Sequence, residues 1–136
     1  MKLHNTMISA LALTSLLLAG VVSVGAQEKP RAKVIKLVSG GKEQPLLSGP
    51  PETVSMRSGL ITLQPQQTVG KHATGQHEEM LVVLEGEGKM LFNDGTSLAI
   101  AANHVLYCPP ETGHDVINTG TGVLRYVYIV ASTNLK

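Results

Sequence analysis

Aromatic residues and cysteine are scarce in this sequence. Aromatic residues make up 3% of the chain, with no tryptophan, one phenylalanine and three tyrosines. Stacking surfaces for nucleobases or sugar rings are therefore few, and the core must be built from aliphatic side chains. The single cysteine, Cys108, has no disulfide partner within the chain and cannot build a thiolate metal site. A bound metal would need histidine and carboxylate ligands.

An excess of charge of one sign is also missing. Eleven lysines and arginines stand against ten aspartates and glutamates, and no segment gathers the basic residues. Proteins that bind a phosphate backbone concentrate positive charge, so the sequence argues against nucleic acid as a partner. A length of 136 residues suffices for one domain with its own core and is too short for two.

The longest apolar run lies near the N-terminus. Residues 8–26 are largely apolar, follow a short polar stretch that contains Lys2, and end in Gly25 and Ala26 before the polar Gln27. This layout is typical of a secretory signal peptide. We therefore expect cleavage after Ala26, removal of residues 1–26, and a single domain of residues 27–136 that is periplasmic or secreted and not stably inserted in a membrane. An uncleaved anchor is the alternative, because about 19 apolar residues approach the length that spans a bilayer.

The rest of the chain has the pattern of an all-β protein. Short runs rich in β-branched residues alternate with glycine, asparagine and proline, and no segment of ten or more residues keeps a helical period. Strands at this spacing indicate a small barrel or a double-sheet jelly roll. Residues 43–52 are interpreted as a loose connection. The predicted strands cover residues 32–38, 54–64, 79–84, 89–92, 96–101, 104–108, 115–118 and 123–131.

Four histidines follow the predicted cleavage site, and three of them have neighbours that suggest a shared site. His77 and Glu79 are two residues apart at the start of a strong strand, so an extended chain presents both on one face. His72 precedes them closely, and His114 opens another strand after a rigid proline-rich corner. In a barrel, two such segments can direct imidazoles toward one centre. His104 follows a turn and is expected to be a surface residue.

Residues 70–86 resemble the first motif of the cupin family, in which a His-x-His pair is followed by glutamate and then by glycine. His72, Glu79 and Gly86 stand at the matching positions, and Thr74 stands where the family carries its second histidine.

Residues 103–118 are similar to the second cupin motif. Asn103 and Glu111 stand where the family has glycine, and asparagine is the side chain best tolerated at a positive-φ turn. Three other positions of the motif are matched, namely Pro109, His114 and Asn118.

The resemblance implies a small double-stranded β-helix, the jelly-roll barrel of the cupins, with one divalent metal ion inside. Transferred position by position, the family's ligands become His72, Glu79 and His114. Two imidazoles and one carboxylate can bind Zn, Mn, Ni, Cu or Fe and leave coordination positions open. His77 shares a face with Glu79 and is a candidate for the missing fourth ligand, although a surface position is also open to it.

Further positions are candidates for roles around the site. Asn118 lies on the same strand face as His114 and is expected to orient a ligand or the backbone. Arg57 can hold a substrate carboxylate by a bidentate contact or lie exposed on its strand. Tyr126 and Tyr128 alternate with their neighbours on the last strand, so either the tyrosines or the residues between them face the barrel.

Three functions remain open at this point. An exported cupin enzyme would use its metal to act on a small oxygen-bearing metabolite by oxygenase, isomerase or lyase chemistry. A non-catalytic barrel would only bind a small molecule or a metal, and Thr74 favours this function. A structural module would form a homodimer, because an exposed sheet edge invites pairing with a second copy of the chain.

Overall fold

A computed structural model describes residues 29–134, and the regular structure in this range consists of strands. The predicted signal peptide, residues 1–26, lies outside the described range. Within it, no helix has the length and apolar character needed to cross a membrane. The strands are β1 (Glu43–Ser48), β2 (Arg57–Leu63), β3 (His72–Ala73), β4 (His77–Glu85), β5 (Glu87–Phe92), β6 (Ser97–Ala101), β7 (Val105–Cys108), β8 (Gly113–Asn118) and β9 (Leu124–Ser132).

The strands form two antiparallel sheets around one core. The first sheet has the order β1-β2-β9-β4-β7, and the second has the order β3-β8-β5-β6. Side chains from both sheets meet in one buried cluster, so the predicted all-β jelly-roll barrel is confirmed. Apart from Cys108 and Tyr126, the cluster is aliphatic, as the composition predicts. Its members are Ile61, Leu63, Leu81, Val83, Met90, Ile100, Leu106, Cys108, Val116, Leu124 and Tyr126.

Seven of the eight predicted strands are present, and the predicted strand at 32–38 is wrong. This segment is irregular, and the side chain of Val34 is 99% exposed. Its backbone bonds to a side chain instead of a neighbouring strand. The Val38 N–H donates to Gln44 Oε1 at 3.0 Å, and Gln44 Nε2 donates to the Lys36 carbonyl at 3.0 Å. The segment therefore forms no strand, although it is rich in β-branched residues, and β-propensity alone does not create a strand.

The interpretation of residues 43–52 as a loose connection is wrong over its first half. Glu43–Ser48 forms β1, which pairs with β2 at the edge of the first sheet. The pairing register shifts between Pro45 and Leu47. An edge strand with an irregularity tolerates proline, whereas proline and polar residues in a sequence argue against a strand. The short strand β3 was likewise not predicted.

The turn between β4 and β5 requires glycine. Gly86 has a φ of 78°, and a Cβ at this position would lie 2.2 Å from the Val123 carbonyl oxygen. Two residues at the glycine positions of the second motif also adopt positive φ, namely Asn103 at 69° and Glu111 at 56°. The prediction that Asn103 accepts such a turn is confirmed.

Asn118 closes the barrel at the end of β8. Its side chain is fully buried, and Nδ2 donates to the carbonyls of Leu63 at 2.9 Å and Gly122 at 2.8 Å. Its Oδ1 accepts from the Gly120 N–H at 2.9 Å. Of the two roles predicted for Asn118, the structure therefore shows the orientation of backbone, since these bonds join β2, β8 and the turn before β9.

Candidate metal centre

A cavity of about 680 Å³ occupies one end of the barrel. Both sheets contribute to its wall, and the side chains that line it include aliphatic, aromatic and charged residues. The lining residues are Lys42, Glu43, Arg57, Ile61, Val69, Gly70, Lys71, His72, Ala73, Thr74, His77, Glu79, His114, Val116, Tyr126, Tyr128 and Val130.

Three of the four predicted ligands gather on the wall of this cavity. His72 and His114 are directly paired residues of β3 and β8 in one sheet, and Glu79 comes from β4 in the other. One nitrogen of each imidazole and one carboxylate oxygen of Glu79 all lie within 4.8 Å of one another. The histidine ring centroids are 4.3 Å apart at an interplanar angle of 62°. The arrangement therefore presents two nitrogens and one oxygen to a common point.

The His114 ring is held with one nitrogen facing Glu79. Nδ1 lies 3.2 Å from the Thr112 carbonyl, to which only an N–H can donate, so the proton of the neutral ring belongs on Nδ1. In the neutral ring, Nε2 is buried, points its lone pair at Glu79 Oε2 at 3.2 Å and accepts no hydrogen bond, whereas in the imidazolium the Nε2–H would donate to that oxygen. A proton or a metal ion between these two atoms would therefore satisfy the buried nitrogen.

The surroundings of His114 act on its protonation in opposite directions. Burial disfavours the imidazolium and by itself lowers the pKa of His114, whereas Glu79 and the Thr112 carbonyl favour the imidazolium and raise it. The balance places the pKa above its ordinary value. The same carboxylate that favours a proton on His114 would also favour a metal cation at that position.

The His72 ring is fixed by its own turn. Nδ1 lies 2.9 Å from the Gly70 carbonyl, so it is the donor nitrogen, and Nε2 of the neutral ring keeps its lone pair. His72 is exposed, whereas Glu79 and His114 are buried. A ligand can therefore approach the group from the side of His72.

Thr74, which replaces the second histidine of the family, uses its hydroxyl for structure. Oγ1 donates to the Pro109 carbonyl at 2.9 Å and accepts from the Thr112 N–H at 2.9 Å. These bonds tie the first motif to the loop that carries His114. The hydroxyl oxygen is thus already engaged by the backbone on both its donor and its acceptor side.

The structure does not bring His77 into the group of ligand atoms. Its ring lines the same cavity, but Nδ1 lies 3.2 Å from the Thr74 carbonyl and Nε2 lies 3.3 Å from Nη2 of Arg57. Since the carbonyl must accept from Nδ1, Nε2 accepts from the guanidinium. Both ring nitrogens have partners within the protein, so the role of His77 as a fourth ligand stays a prediction.

Both tyrosines of the last strand face the barrel interior. Tyr126 is buried in the core, and burial raises its pKa above the ordinary value. Tyr128 lies across β2, where a Cβ on Gly59 would come within 2.6 Å of its ring, and its hydroxyl donates to Glu43 at 3.0 Å. Burial and the Glu43 carboxylate together raise the pKa of Tyr128 to about 12. Both phenols therefore remain neutral donors at ordinary pH.

The sequence analysis missed Lys42, Glu43 and Lys71 as cavity residues. Lys71 directly precedes His72, so its position in the motif was the available signal, whereas Glu43 opens the unpredicted strand β1 and Lys42 directly precedes it. Only the pairing of β1 with β2 brings these two residues beside the cavity.

The remaining predicted residues lie away from the ligand atoms or pack beside them. His104 is exposed, and its Nδ1 accepts from the Ala101 N–H at 3.1 Å, in agreement with a surface position. Cys108 is buried in the core with Sγ 3.5 Å from His114 Nδ1. Burial, followed by the Glu79 charge, raises the pKa of the Cys108 thiol. Cys108 therefore serves as a core side chain.

The group of residues His72, Glu79 and His114 fits a divalent metal ion. Two imidazole nitrogens and a carboxylate oxygen are ligands that Zn²⁺, Mn²⁺ and Fe²⁺ accept. The second ring nitrogen of each histidine is bound to a backbone carbonyl, an arrangement that usually orients metal-binding imidazoles. In the neutral His114 ring, the lone pair on the buried Nε2 is free to bind such an ion.

Comparisons with known proteins agree with this fold. No curated protein matches the chain. Among solved structures, the cupin domain of Schizosaccharomyces pombe Cnp3 has a TM-score of 0.60 at 17% identity, with 66% of this chain and 63% of that chain covered.

Two further solved structures have similar folds. A Cupin 2 conserved barrel domain protein from Salinispora arenicola has a TM-score of 0.62 at 17% identity, covering 76% of this chain and 92% of that chain. A predicted oxalate decarboxylase from Thermotoga maritima has a TM-score of 0.52 at 19% identity, covering 67% of this chain and 92% of that chain. The family model of the cupin domain matches residues 59–130, which include both motifs and all three clustered residues. The chain therefore belongs to the cupin family.

Proposed function

We propose that this protein is an exported single-domain cupin that binds one divalent metal ion through His72, Glu79 and His114 and acts on a small oxygen-bearing metabolite. The observation that carries the proposal is the convergence of three ligand atoms, one nitrogen each of His72 and His114 and one oxygen of Glu79, all within 4.8 Å of one another. Two imidazole nitrogens and one carboxylate oxygen form a donor set that divalent metals bind.

The cavity supplies the other parts of a small-molecule site. A bound divalent metal would act as a Lewis acid on an oxygen of the ligand. Ile61, Val69 and Val116 give the wall an apolar section that excludes water, and Tyr126 and Tyr128 add neutral phenol groups. A volume of about 680 Å³ suits a metabolite-sized ligand. We infer chemistry of the oxygenase, isomerase or lyase class.

A small carboxylic acid is the substrate class that the comparisons favour. The Thermotoga maritima neighbour is described as a predicted oxalate decarboxylase, and its likeness to this chain is one of fold. Together with the cationic groups on the cavity wall, this description supports a carboxylate substrate for the present protein.

A non-catalytic binding barrel is the second candidate. The observation in its favour is Thr74, whose hydroxyl is bonded to the backbone, so that the gathered group supplies three ligands instead of the four usual in the family. Incubation of the metal-loaded protein with small carboxylic acids separates the two candidates. Product formation supports an enzyme, whereas saturable binding without product supports a binding protein.

Elemental analysis of the purified protein tests the metal site. The wild type, incubated with Zn²⁺, Mn²⁺, Ni²⁺, Cu²⁺ or Fe²⁺ and then desalted, should retain one of these ions at a one-to-one ratio. His72→Ala, Glu79→Gln and His114→Ala should lose it, while the exposed His104→Ala should retain it. Circular dichroism verifies that each variant is folded, and His72→Ala is the safest, because His72 is exposed. A wild type without metal, or variants that keep it, would contradict the proposal.

Export is a separate part of the proposal. The apolar run before Gln27 supports cleavage after Ala26. N-terminal sequencing of the protein recovered from outside the cytoplasm should begin at Gln27. Recovery of the full chain from the membrane fraction would favour the uncleaved anchor.

A further inference from the structure

Arg57 presents a charged group to the cavity without a carboxylate partner. Its side chain lies on the cavity wall, and no ion pair within residues 29–134 includes it. Its hydrogen bond is to Nε2 of His77, at 3.3 Å from Nη2. A guanidinium has five N–H donors in a planar fork, so most of its donors remain available to a ligand.

Arg57 is exposed, as one of the two predicted alternatives had it, and two neighbouring groups contact its side chain. A Cβ on Gly49 would lie 3.1 Å from Arg57 Cγ, so the alkyl chain of the arginine passes over the bare backbone of that glycine. His77 is fixed by the Thr74 carbonyl through Nδ1 and offers Nε2 as an acceptor to the guanidinium. His77 is therefore a positioning residue for Arg57.

The sheet register places Arg57 at a defined distance from the metal group. Arg57 pairs with Val130 of β9, and Val130 pairs in turn with Glu79 of β4. The two residues thus occupy one row across three neighbouring strands, which puts their Cα atoms about 9–10 Å apart. Val130 lines the cavity between them. A small molecule can form polar contacts with both Arg57 and the metal group only if it carries a polar group at each end.

The charges on the cavity wall favour an anion. The wall carries three cationic side chains and two carboxylates, so it has an excess of one positive charge before any metal is bound. The cationic residues are Lys42, Arg57 and Lys71, and the carboxylates belong to Glu43 and Glu79. Glu43 is engaged by the Tyr128 hydroxyl at 3.0 Å. A divalent metal would raise this excess of positive charge further. The low-dielectric walls of a cavity strengthen the electric field that acts on a bound anion.

We propose that Arg57, positioned by His77, binds a terminal carboxylate of a small dicarboxylic acid whose other end faces His72, Glu79 and His114. This inference rests on the proposed function, because the second end of the acid requires the metal. A guanidinium and a carboxylate form a planar bidentate contact. An acid with one carboxylate can contact either Arg57 or the metal, whereas a dicarboxylic acid can contact both.

Calorimetric titration of the metal-loaded protein with succinate and with butyrate tests the inference. The two probes have the same carbon chain, and only succinate has a carboxylate at both ends. Arg57→Gln should weaken succinate binding roughly tenfold or more and leave the affinity for butyrate unchanged. Arg57→Lys should recover part of the loss, because a lysine supplies charge without the bidentate fork. Arg31→Gln, an exposed arginine outside the cavity, is the charge-matched control.

His77 variants separate a positioning role from a ligand role. His77→Ala should keep the metal and weaken succinate binding, and His77→Gln should restore that binding, because the amide oxygen can accept the same hydrogen bond. Loss of metal in His77→Ala would make His77 a ligand and overturn its positioning role.

The remaining outcomes distinguish the two proposals. Equal succinate affinity in wild type and Arg57→Gln, with metal retained in both, would overturn the role of Arg57 and leave the metal site standing. Equal losses for succinate and butyrate would also overturn it, since the effect would then not depend on the second carboxylate. A wild type without metal would overturn the proposed function and this inference with it.

Discussion

The two ends of the barrel are built from the same strands and have opposite chemistry. At the open end, which contains His72, Glu79 and His114, polar groups face a cavity and three ligand atoms lie within 4.8 Å of one another. At the closed end, which contains Leu63, Leu81, Val83, Leu124 and Asn118, side chains are buried and the one amide makes three hydrogen bonds. Strand β4 runs from Glu79 at the open end to Val83 at the closed end, and strand β8 runs from His114 to Asn118 in the same way.

The difference shows how a small barrel separates stability from function. Aliphatic burial at the closed end stabilises the fold, at about 25 cal/mol per Å² of apolar surface. The open end instead keeps two imidazoles and a carboxylate together beside a cavity, where a ligand can reach them. Variants at the two ends should therefore affect different measurements.

The largest expected effect is at the closed end. Leu81→Ala removes a side chain that is 1% exposed, and we expect a loss of about 2–5 kcal/mol in the free energy of unfolding. Urea denaturation measures the loss, and the folded fraction should still bind metal. Leu98→Ala, at a side chain that is 51% exposed, is the control and should cost less than about 1 kcal/mol. Equal losses in the two variants would contradict the assignment of the core.

Asn118→Ala should have the next largest effect. It leaves the buried carbonyl of Leu63 without its donor and the Gly120 N–H without its acceptor, at a cost of about 1–3 kcal/mol. Denaturant unfolding measures this cost, and metal content should not change. Unchanged stability with a loss of metal would instead give Asn118 the other role predicted from the sequence, the orientation of a ligand.

A smaller effect on stability is expected at the open end. His72 is exposed, so His72→Ala should change the stability of the metal-free protein by less than about 1 kcal/mol. The same variant should abolish the rise in melting temperature that metal produces in the wild type. Thermal unfolding with and without metal measures both quantities. A large loss of stability without metal would show that the two ends are not separable.

Ionisation of the barrel tyrosines should lower the free energy of unfolding only at alkaline pH. Burial and Glu43 raise the pKa of Tyr128 to about 12, above the value of about 10 expected in the unfolded chain. Its contribution is therefore fully present below pH 10 and lost as the pH rises through about 12. Phenolate absorbance in a Tyr107→Phe background should show late ionisation, and Glu43→Gln should move it to lower pH. Ionisation of both tyrosines near pH 10 would contradict their burial.

The sequence predicted best where a pattern depends on neighbours along the chain. Short runs rich in β-branched residues between turn residues predicted seven of the strands, and the glycine-rich turn at Gly86 is where the motif placed it. The segment 32–38 and strand β1 show the limit of such patterns. The residues of 32–38 favour a strand and those of β1 favour a loop, yet β1 is the segment that forms a strand, because it pairs with β2. Pairing with a distant strand is not encoded in a short window.

The sequence by itself determined the all-β class, the aliphatic core, the cupin resemblance and the motif positions His72, Glu79 and His114. The all-β class and the aliphatic core depend on composition and local periodicity, which a linear chain carries completely, and the three motif positions follow from the resemblance to the cupin motifs. Only the tertiary structure decided which groups meet across strands: the partner of His77, the tyrosine face of β9, and the row from Arg57 through Val130 to Glu79. These depend on sheet register, and register is set when distant strands pack together around one core.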